Sequence, residues 1–341
     1  MATTVTERTS ATRPVSTGRR DLFVALATLW LTGGLFLDGW AHSHVPELET
    51  FFTPWHGVLY SGYVVLALTL VPAALWRGRP VGPVRDWFPA GYGLGILGAV
   101  LFAVGGAIDM TWHTLLGIEV NLEALLSPPH LLLLTAGALM IATPVRAAAA
   151  RGAGPAGLVA DLPVLISMIS ATAVAAFFLD YLSPFTDAPS ASSGFGGQAF
   201  GMAQYLAYSV LMIVSTLFVW TRLGRVPAGL ITLVVAAASV PNGVFGDFEH
   251  LSSQLYPLIG AVLADVAVQW VTATRPRLVP LAAGVLIPLL VWPTHLIGVE
   301  VSLGVGWTEE LWSGVVVLCL LAGAVLGGLF LPRAGADHDR A

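Results

Sequence analysis

The stretch DMTWHTLLGIEVNLEALLSPPH, residues 109–130, places one carboxylate and two imidazoles at the ends of two apolar runs. Asp109 and His113 are four residues apart at the end of the first run, so on a helix they share one face. His130 opens the next run behind Ser127 and two prolines. Because serine favours the N-cap and proline the first turn, we expect His130 in the first turn of that helix. A hairpin of the two helices would bring the three side chains together.

A second copy of this pattern lies earlier in the chain, in LDGWAHSHVPELETFFTPWH, residues 37–56. Asp38 and His42 are again four residues apart, and Thr53 followed by proline predicts a helix with His56 in its first turn. The chain has only eight histidines, so composition alone explains two such copies poorly. The duplicated set of two histidines and one aspartate is therefore the strongest functional signal in the sequence.

Length and composition indicate an integral membrane protein. The chain has 341 residues, of which 56% are hydrophobic and 10% charged, and its mean hydropathy is +0.81. Apolar runs of about 20 residues recur, each long enough to cross about 30 Å of hydrocarbon. We predict an all-α transmembrane bundle of ten spans, arranged as helical hairpins with polar tips outside. The predicted spans are residues 22–41, 55–76, 90–112, 129–147, 158–182, 200–222, 227–246, 254–272, 278–297 and 310–331.

The distribution of basic residues predicts the orientation of these spans. All 15 are arginines, and they fall in the two tails and in alternate loops. The positive-inside rule makes that side cytoplasmic, so both termini are expected in the cytoplasm and the histidine-rich loops outside. We therefore expect a multi-pass protein of a bacterial inner membrane.

The same pattern predicts a simple domain organisation. A single ten-helix membrane domain is expected over residues 21–333, between a disordered cytoplasmic tail at 1–20 and a second cytoplasmic tail at 334–341. Within the domain, residues 22–147 carry the two histidine–aspartate hairpins, and residues 155–331 form additional hairpins.

Other polar side chains are candidates for further sites. Glu123 lies seven residues before His130 and is a candidate proton donor if it is buried, whereas on a surface helix it would face water. Asp265 and Gln269 lie four residues apart within a predicted span, where a carboxylate is costly and is a functional candidate by default. A carboxyl group held by a neighbouring helix is the structural alternative. Further metal or polar candidates are His44, Glu119, Asp247, His250, His295 and Glu300.

The ligand types restrict the metal without selecting one. Two imidazoles and one carboxylate suit zinc, copper(II) or iron(II). Cys319 is the only cysteine and the six methionines are scattered, so the soft-ligand cluster typical of a copper(I) relay is missing from the sequence. Polar clusters that only join helix ends would use the same residue types, but the repetition favours metal ligands.

The two motifs also resemble a known family. Asp-Gly-x-x-His at 38–42 and Phe-Thr-Pro-x-His at 52–56 are similar to the C subunit of particulate methane and ammonia monooxygenases. The next hairpin of that subunit has a polar residue, then His-Thr, then Glu seven residues before a His that follows proline. The matching positions here are Asp109, His113-Thr114, Glu123 and Pro129-His130. The resemblance covers about residues 22–145, and the family has asparagine where this chain has Asp109.

The resemblance implies a copper or zinc site in the first hairpin and a neighbouring copper site in the second. The implied ligands are Asp38, His42 and His56, and Asp109, His113 and His130. It implies a metal-binding subunit of a copper-dependent membrane monooxygenase, an enzyme that also needs other subunits. For the chain as a whole we expect the lipid bilayer, and other membrane subunits or a homo-oligomer, as partners, and no nucleic acid. The alternatives are a copper or zinc handling or transport protein without oxygenase activity, and a structural membrane subunit.

Overall fold

The computed structural model describes residues 14–45, 51–70, 87–117, 121–152 and 157–332. Within these ranges the chain is helical and contains no β-strand. The α-helices are α1 (Gly18–His44), α2 (Pro54–Leu70), α3 (Gly93–Leu116), α4 (Asn121–Leu126), α5 (Pro128–Ile141), α6 (Thr143–Arg151), α7 (Leu158–Phe178), α8 (Pro184–Asp187), α9 (Phe195–Leu223), α10 (Leu230–Ser239), α11 (Leu251–Leu255), α12 (Pro257–Thr274), α13 (Val279–Ser302) and α14 (Glu309–Leu329).

Eight helical segments of the described chain are long and apolar enough to cross a membrane. They are Gly18–His44, Gly93–Leu116, Pro128–Arg151, Leu158–Phe178, Phe195–Leu223, Leu251–Thr274, Pro276–Ser302 and Glu309–Leu329. These segments confirm a multi-pass helical membrane protein in contact with lipid. In the two other predicted spans, α2 has 17 described residues and α10 has ten before a 3₁₀ turn at Pro241–Gly246. The count of ten spans therefore stays a prediction.

The first helix begins inside the segment expected to be a disordered tail. Residues 1–20 were predicted to precede the membrane domain, but α1 starts at Gly18 and its N terminus is capped by Thr17. Asp21 in the first turn is buried and forms an ion pair with Arg151 at the end of α6. This ion pair holds the first turn of α1 against the end of α6. The rest of both predicted tails, 1–13 and 334–341, lies outside the described residues.

Small residues bring the helices of each histidine-bearing hairpin close together. In the first hairpin, a Cβ added to Gly34 of α1 would lie 2.7 Å from the Cα of Leu59 on α2. In the second, a Cβ on Gly105 of α3 would lie 3.0 Å from the side chain of Leu133 on α5. Each glycine precedes the aspartate of its hairpin by four residues, and each leucine follows the histidine of the partner helix by three. Such close packing through small residues is typical of membrane helices.

The C-terminal half supplies a wall beside the first hairpin. α1 packs against α7 and against the 3₁₀ turn Pro241–Gly246. The contact is aromatic: the Phe36 and Phe177 ring centres are 5.3 Å apart, and those of Phe177 and Phe245 are 5.5 Å apart. The two halves of the described chain therefore meet next to the ends of α1 and α2, where the first set of candidate ligands lies.

Candidate metal centre

The first predicted ligand set comes together where the C-terminal end of α1 meets the start of α2. The Thr53 hydroxyl accepts a hydrogen bond from the backbone N–H of His56 at 3.1 Å, so the predicted cap places His56 in the first turn. Asp38 Oδ1 lies 3.2 Å from His56 Nδ1, and Asp38 Oδ2 lies 3.8 Å from His42 Nε2. Asp38 and His56 are buried, whereas His42 is exposed. The first site therefore has one ligand at its solvent edge.

The second set is tighter and lies where α3 meets α5. Asp109 Oδ1 is 3.3 Å from His113 Nε2 and 3.1 Å from His130 Nε2. Two atoms bound to one tetrahedral metal ion at about 2.0–2.1 Å lie about 3.3 Å apart. In each set the three ligand atoms lie within 4.8 Å of one another. The spacing in the second site fits a shared metal ion.

Backbone carbonyls orient both imidazoles of the second site. His113 Nδ1 lies 3.3 Å from the Gly117 carbonyl oxygen, and His130 Nδ1 lies 2.5 Å from that of Ala124. A carbonyl oxygen only accepts hydrogen bonds, so each Nδ1 carries a proton. In the neutral imidazole the lone pair is then on Nε2, which faces Asp109. Metal-binding histidines have this outer-shell arrangement.

When both imidazoles carry their proton on Nδ1, Asp109 in the second site receives no hydrogen bond from them. Asp109 Oδ1 is buried, and with both Nδ1 atoms protonated neither neutral imidazole donates a hydrogen bond to it. Burying a charged oxygen without compensation is costly. A cation would satisfy the three acceptor atoms that converge here. The donor set fits zinc, copper(II) or iron(II), as expected from the sequence.

Both sites face one cavity of about 880 Å³ that is lined by all six ligands. Phe51 lies between the sites, with its ring centre 4.8 Å from that of His56 and 6.1 Å from that of His113. These two imidazoles therefore lie within about 11 Å of one another, the sum of both distances. Apolar residues form much of the remaining wall, including Leu31, Leu35, Phe102, Leu133, Val174 and Phe177.

Asp180 is a further acidic residue of the cavity wall. α7 ends at Phe178, before the predicted limit of 182, and Asp180 follows in a 3₁₀ turn outside the span. Asn242 Nδ2 donates a hydrogen bond to Asp180 Oδ1 at 2.8 Å. Burial raises the pKa of Asp180 to about 6, although the hydrogen bond from Asn242 acts in the opposite direction. A carboxyl group that binds a proton near neutral pH therefore lines the cavity.

Tyr60 is a cavity residue that the sequence reasoning missed. It lies on α2 one helical turn after His56, and its ring is nearly parallel to that imidazole, at 16° with 6.3 Å between centres. An aromatic residue four positions after a candidate ligand was the available sequence signal.

Glu123, the candidate proton donor, lies on the exposed face of α4. Its neighbours Leu122, Ala124 and Leu125 line the cavity, but Glu123 does not. The position of this side chain favours the alternative in which Glu123 faces water from a surface helix.

The candidates near the C-terminal end of α1 and the start of α11 join neither site. His44 Nε2 lies 3.4 Å from Asp247 Oδ1, and that carboxylate is exposed. His250 occupies the N-cap position of α11. Glu119 lies outside the described residues. Only the two predicted triads form metal-type clusters in the part of the chain that was described.

The candidates of α13 are also separate from the two sites. His295 is fully buried, and its Nδ1 lies 2.9 Å from the carbonyl oxygen of Ser253. Glu300 Oε2 accepts a hydrogen bond of 2.7 Å from the backbone N–H of Val305. His295 thus packs α13 against α11, and Glu300 stabilises the turn after α13.

Asp265, the mid-span carboxylate, caps a neighbouring helix. Its Oδ1 accepts a hydrogen bond from Gly229 N–H and its Oδ2 one from Thr232 N–H, each at 3.1 Å. Gln269 Nε2 donates to the Val226 carbonyl at 3.2 Å. The first amides of α10 lack partners within their own helix and favour a negative charge. These contacts support the structural alternative for Asp265 and Gln269.

Comparisons with known proteins identify no relative. No protein-family model, no curated protein and no solved structure matches this chain.

Proposed function

We propose that this chain is a metal-binding component of a copper-dependent membrane monooxygenase, or a relative of one. The observation that carries the proposal is that two His/Asp ligand sets face one largely apolar cavity. The ligand types fit copper(II), zinc and iron(II) equally. The preference for copper comes from the motif resemblance at Asp38, His42 and His56, and at Asp109, His113 and His130.

The residues of the second site have defined tasks in this proposal. His113 and His130 present Nε2 because their Nδ1 protons are bound by carbonyl oxygens. Asp109 would neutralise part of the positive charge of a bound ion. Copper, when bound, supplies one-electron chemistry with dioxygen. The apolar wall beside it, including Phe102 and Leu133, excludes water and limits leakage of a reactive oxidant.

The same proposal includes a cellular setting. We place both sites on the extracytoplasmic side of a bacterial inner membrane, in a ten-span chain with cytoplasmic termini. Support comes from the restriction of arginine to alternate loops. Other membrane subunits or further copies of the chain would complete the assembly.

A second candidate function is copper or zinc handling without oxygenase activity. The exposed position of His42 favours it, since an accessible ligand can exchange metal with the outside. The His44–Asp247 pair lies on the same outer end of α1 and adds two further metal-type side chains there.

Activity of membranes that contain the chain and its gene neighbours tests the proposal. We expect copper-dependent oxidation of short alkanes, alkenes or ammonia, and loss of this activity in His113→Ala. His250→Ala is the matched control, because His250 belongs to neither site. If copper-replete membranes oxidise none of these substrates and deletion of the gene changes copper or zinc tolerance, the handling function replaces the oxygenase.

A further inference from the structure

The Tyr60 side chain reaches from the first hairpin to the second. Its ring lies beside the imidazole of His56, while its hydroxyl contacts α3: a Cβ added to Gly106 would lie 2.9 Å from the Tyr60 oxygen. Gly106 precedes Asp109 by three residues. Tyr60 also lines the cavity. The phenol therefore lies between the two ligand sets.

The Tyr60 hydroxyl is buried and has no hydrogen-bond partner among the described residues. Other tyrosines of this chain behave differently. Tyr63, on the same helix, donates to the Ala99 carbonyl at 2.9 Å, and Tyr92 donates to Asp21 at 2.6 Å. A buried donor without an acceptor is destabilising, so an acceptor from outside the chain would complete this position.

The charges of the two sites indicate what kind of acceptor fits. Each site combines one carboxylate with two imidazoles, so a divalent ion with neutral imidazoles leaves one net positive charge per site. Two such charges beside an apolar wall attract an anion strongly, because the local dielectric constant is low. The Tyr60 O–H is a suitable donor to that anion.

We propose that the space between the two sites binds a small anion that accepts a hydrogen bond from the Tyr60 hydroxyl. This inference rests on the proposed metal sites. The ligand class is a small monoanion. Tyr60 is then a ligand-binding residue of the cavity in addition to the six metal ligands.

Azide titration of the purified, copper(II)-loaded protein tests this inference. The absorption band that azide forms with copper(II) reports binding, and metal analysis of the same samples reports copper content. Tyr60→Phe removes one hydroxyl, and we expect it to weaken azide binding about tenfold without loss of copper, as for a hydrogen bond to a charged group. Tyr63→Phe is the matched control, because its hydroxyl already binds a carbonyl, and its azide affinity should equal that of the wild type.

A second variant makes the test independent of the phenylalanine substitution. Gly106→Ala places a methyl group 2.9 Å from the Tyr60 oxygen, which displaces the hydroxyl and should also weaken azide binding. Wild-type azide affinity in Tyr60→Phe, with copper retained, overturns the inference and leaves the metal sites intact. Loss of copper from Tyr60→Phe overturns it too, because the hydroxyl would then hold the metal ligands. A wild-type protein that binds no copper overturns the proposed function and this inference together.

Discussion

Removal of one imidazole from each site should affect the two sites unequally. His113→Ala removes a buried ligand whose Nε2 lies 3.3 Å from Asp109 and whose Nδ1 is held by the Gly117 carbonyl. His42→Ala removes an exposed ligand whose Nε2 lies 3.8 Å from Asp38. The second site is therefore better preorganised, so loss of one ligand should weaken its metal binding more.

The size of each effect follows from these geometries. Changes to outer-shell partners alone typically cost 10–100-fold in metal affinity. Loss of a ligand together with its outer-shell bond should exceed that range, so we expect at least about 100-fold weaker binding for His113→Ala. His42 is less constrained, and we expect a smaller loss for His42→Ala, within about 10–100-fold. The double variant should retain almost no metal.

Competition with a chelator of known affinity measures these changes in detergent-purified protein, and elemental analysis gives the bound metal. His250→Ala should match the wild type, since His250 belongs to neither cluster. Wild-type affinity and metal content in the double variant would refute both sites. A larger loss for His42→Ala than for His113→Ala would refute the argument from preorganisation.

Three further predictions concern stability and topology. Because burial raises the pKa of Asp180 from 3.8 to about 6, the folded state holds this proton more tightly than the unfolded chain. Stability should then fall by up to about 3 kcal/mol between about pH 4 and pH 6, and thermal unfolding of Asp180→Asn should lack this dependence. Asp265→Ala leaves the Gly229 and Thr232 amides at the start of α10 without their acceptor and should lower the free energy of unfolding by about 1–3 kcal/mol; loss of metal in this variant would contradict the capping role. Reporter fusions after residues 48 and 120 should be active as periplasmic reporters and silent as cytoplasmic ones, and the reverse pattern would contradict the assigned orientation.

Local patterns predicted which histidine and aspartate side chains come together, because each spacing acts within one helix or across one short connection. A spacing of four residues places Asp109 and His113 on one helical face wherever the helix lies. Of the two predicted caps, Thr53 caps α2 through its side chain. Ser127 occupies the N-cap position of α5 but makes no side-chain cap bond. The position of a residue relative to its own helix was therefore predictable, and its exact bonding was not.

Such local patterns could not predict the contacts between helices that are distant along the chain. The position of Tyr60 depends on where α2 passes α3, and the hydrogen bonds of Asp265 depend on α10 starting beside the middle of α12. The sequence correctly marks Asp265 as a costly carboxylate, but the amides that donate hydrogen bonds to it lie at the start of α10, more than 30 positions away. Glu123 likewise has two plausible faces in an amphipathic segment, and packing of α4 decides between them.

Each ligand set is supplied by helices that are neighbours along the chain, and this affects the order of biogenesis. The first set is complete once α2 has been synthesised, and the second once α5 has followed. The cavity wall from α7 and from Phe245 is made later. Contacts between neighbouring segments form faster than long-range ones. A nascent chain can therefore bring each set of ligands together before the later helices enclose them.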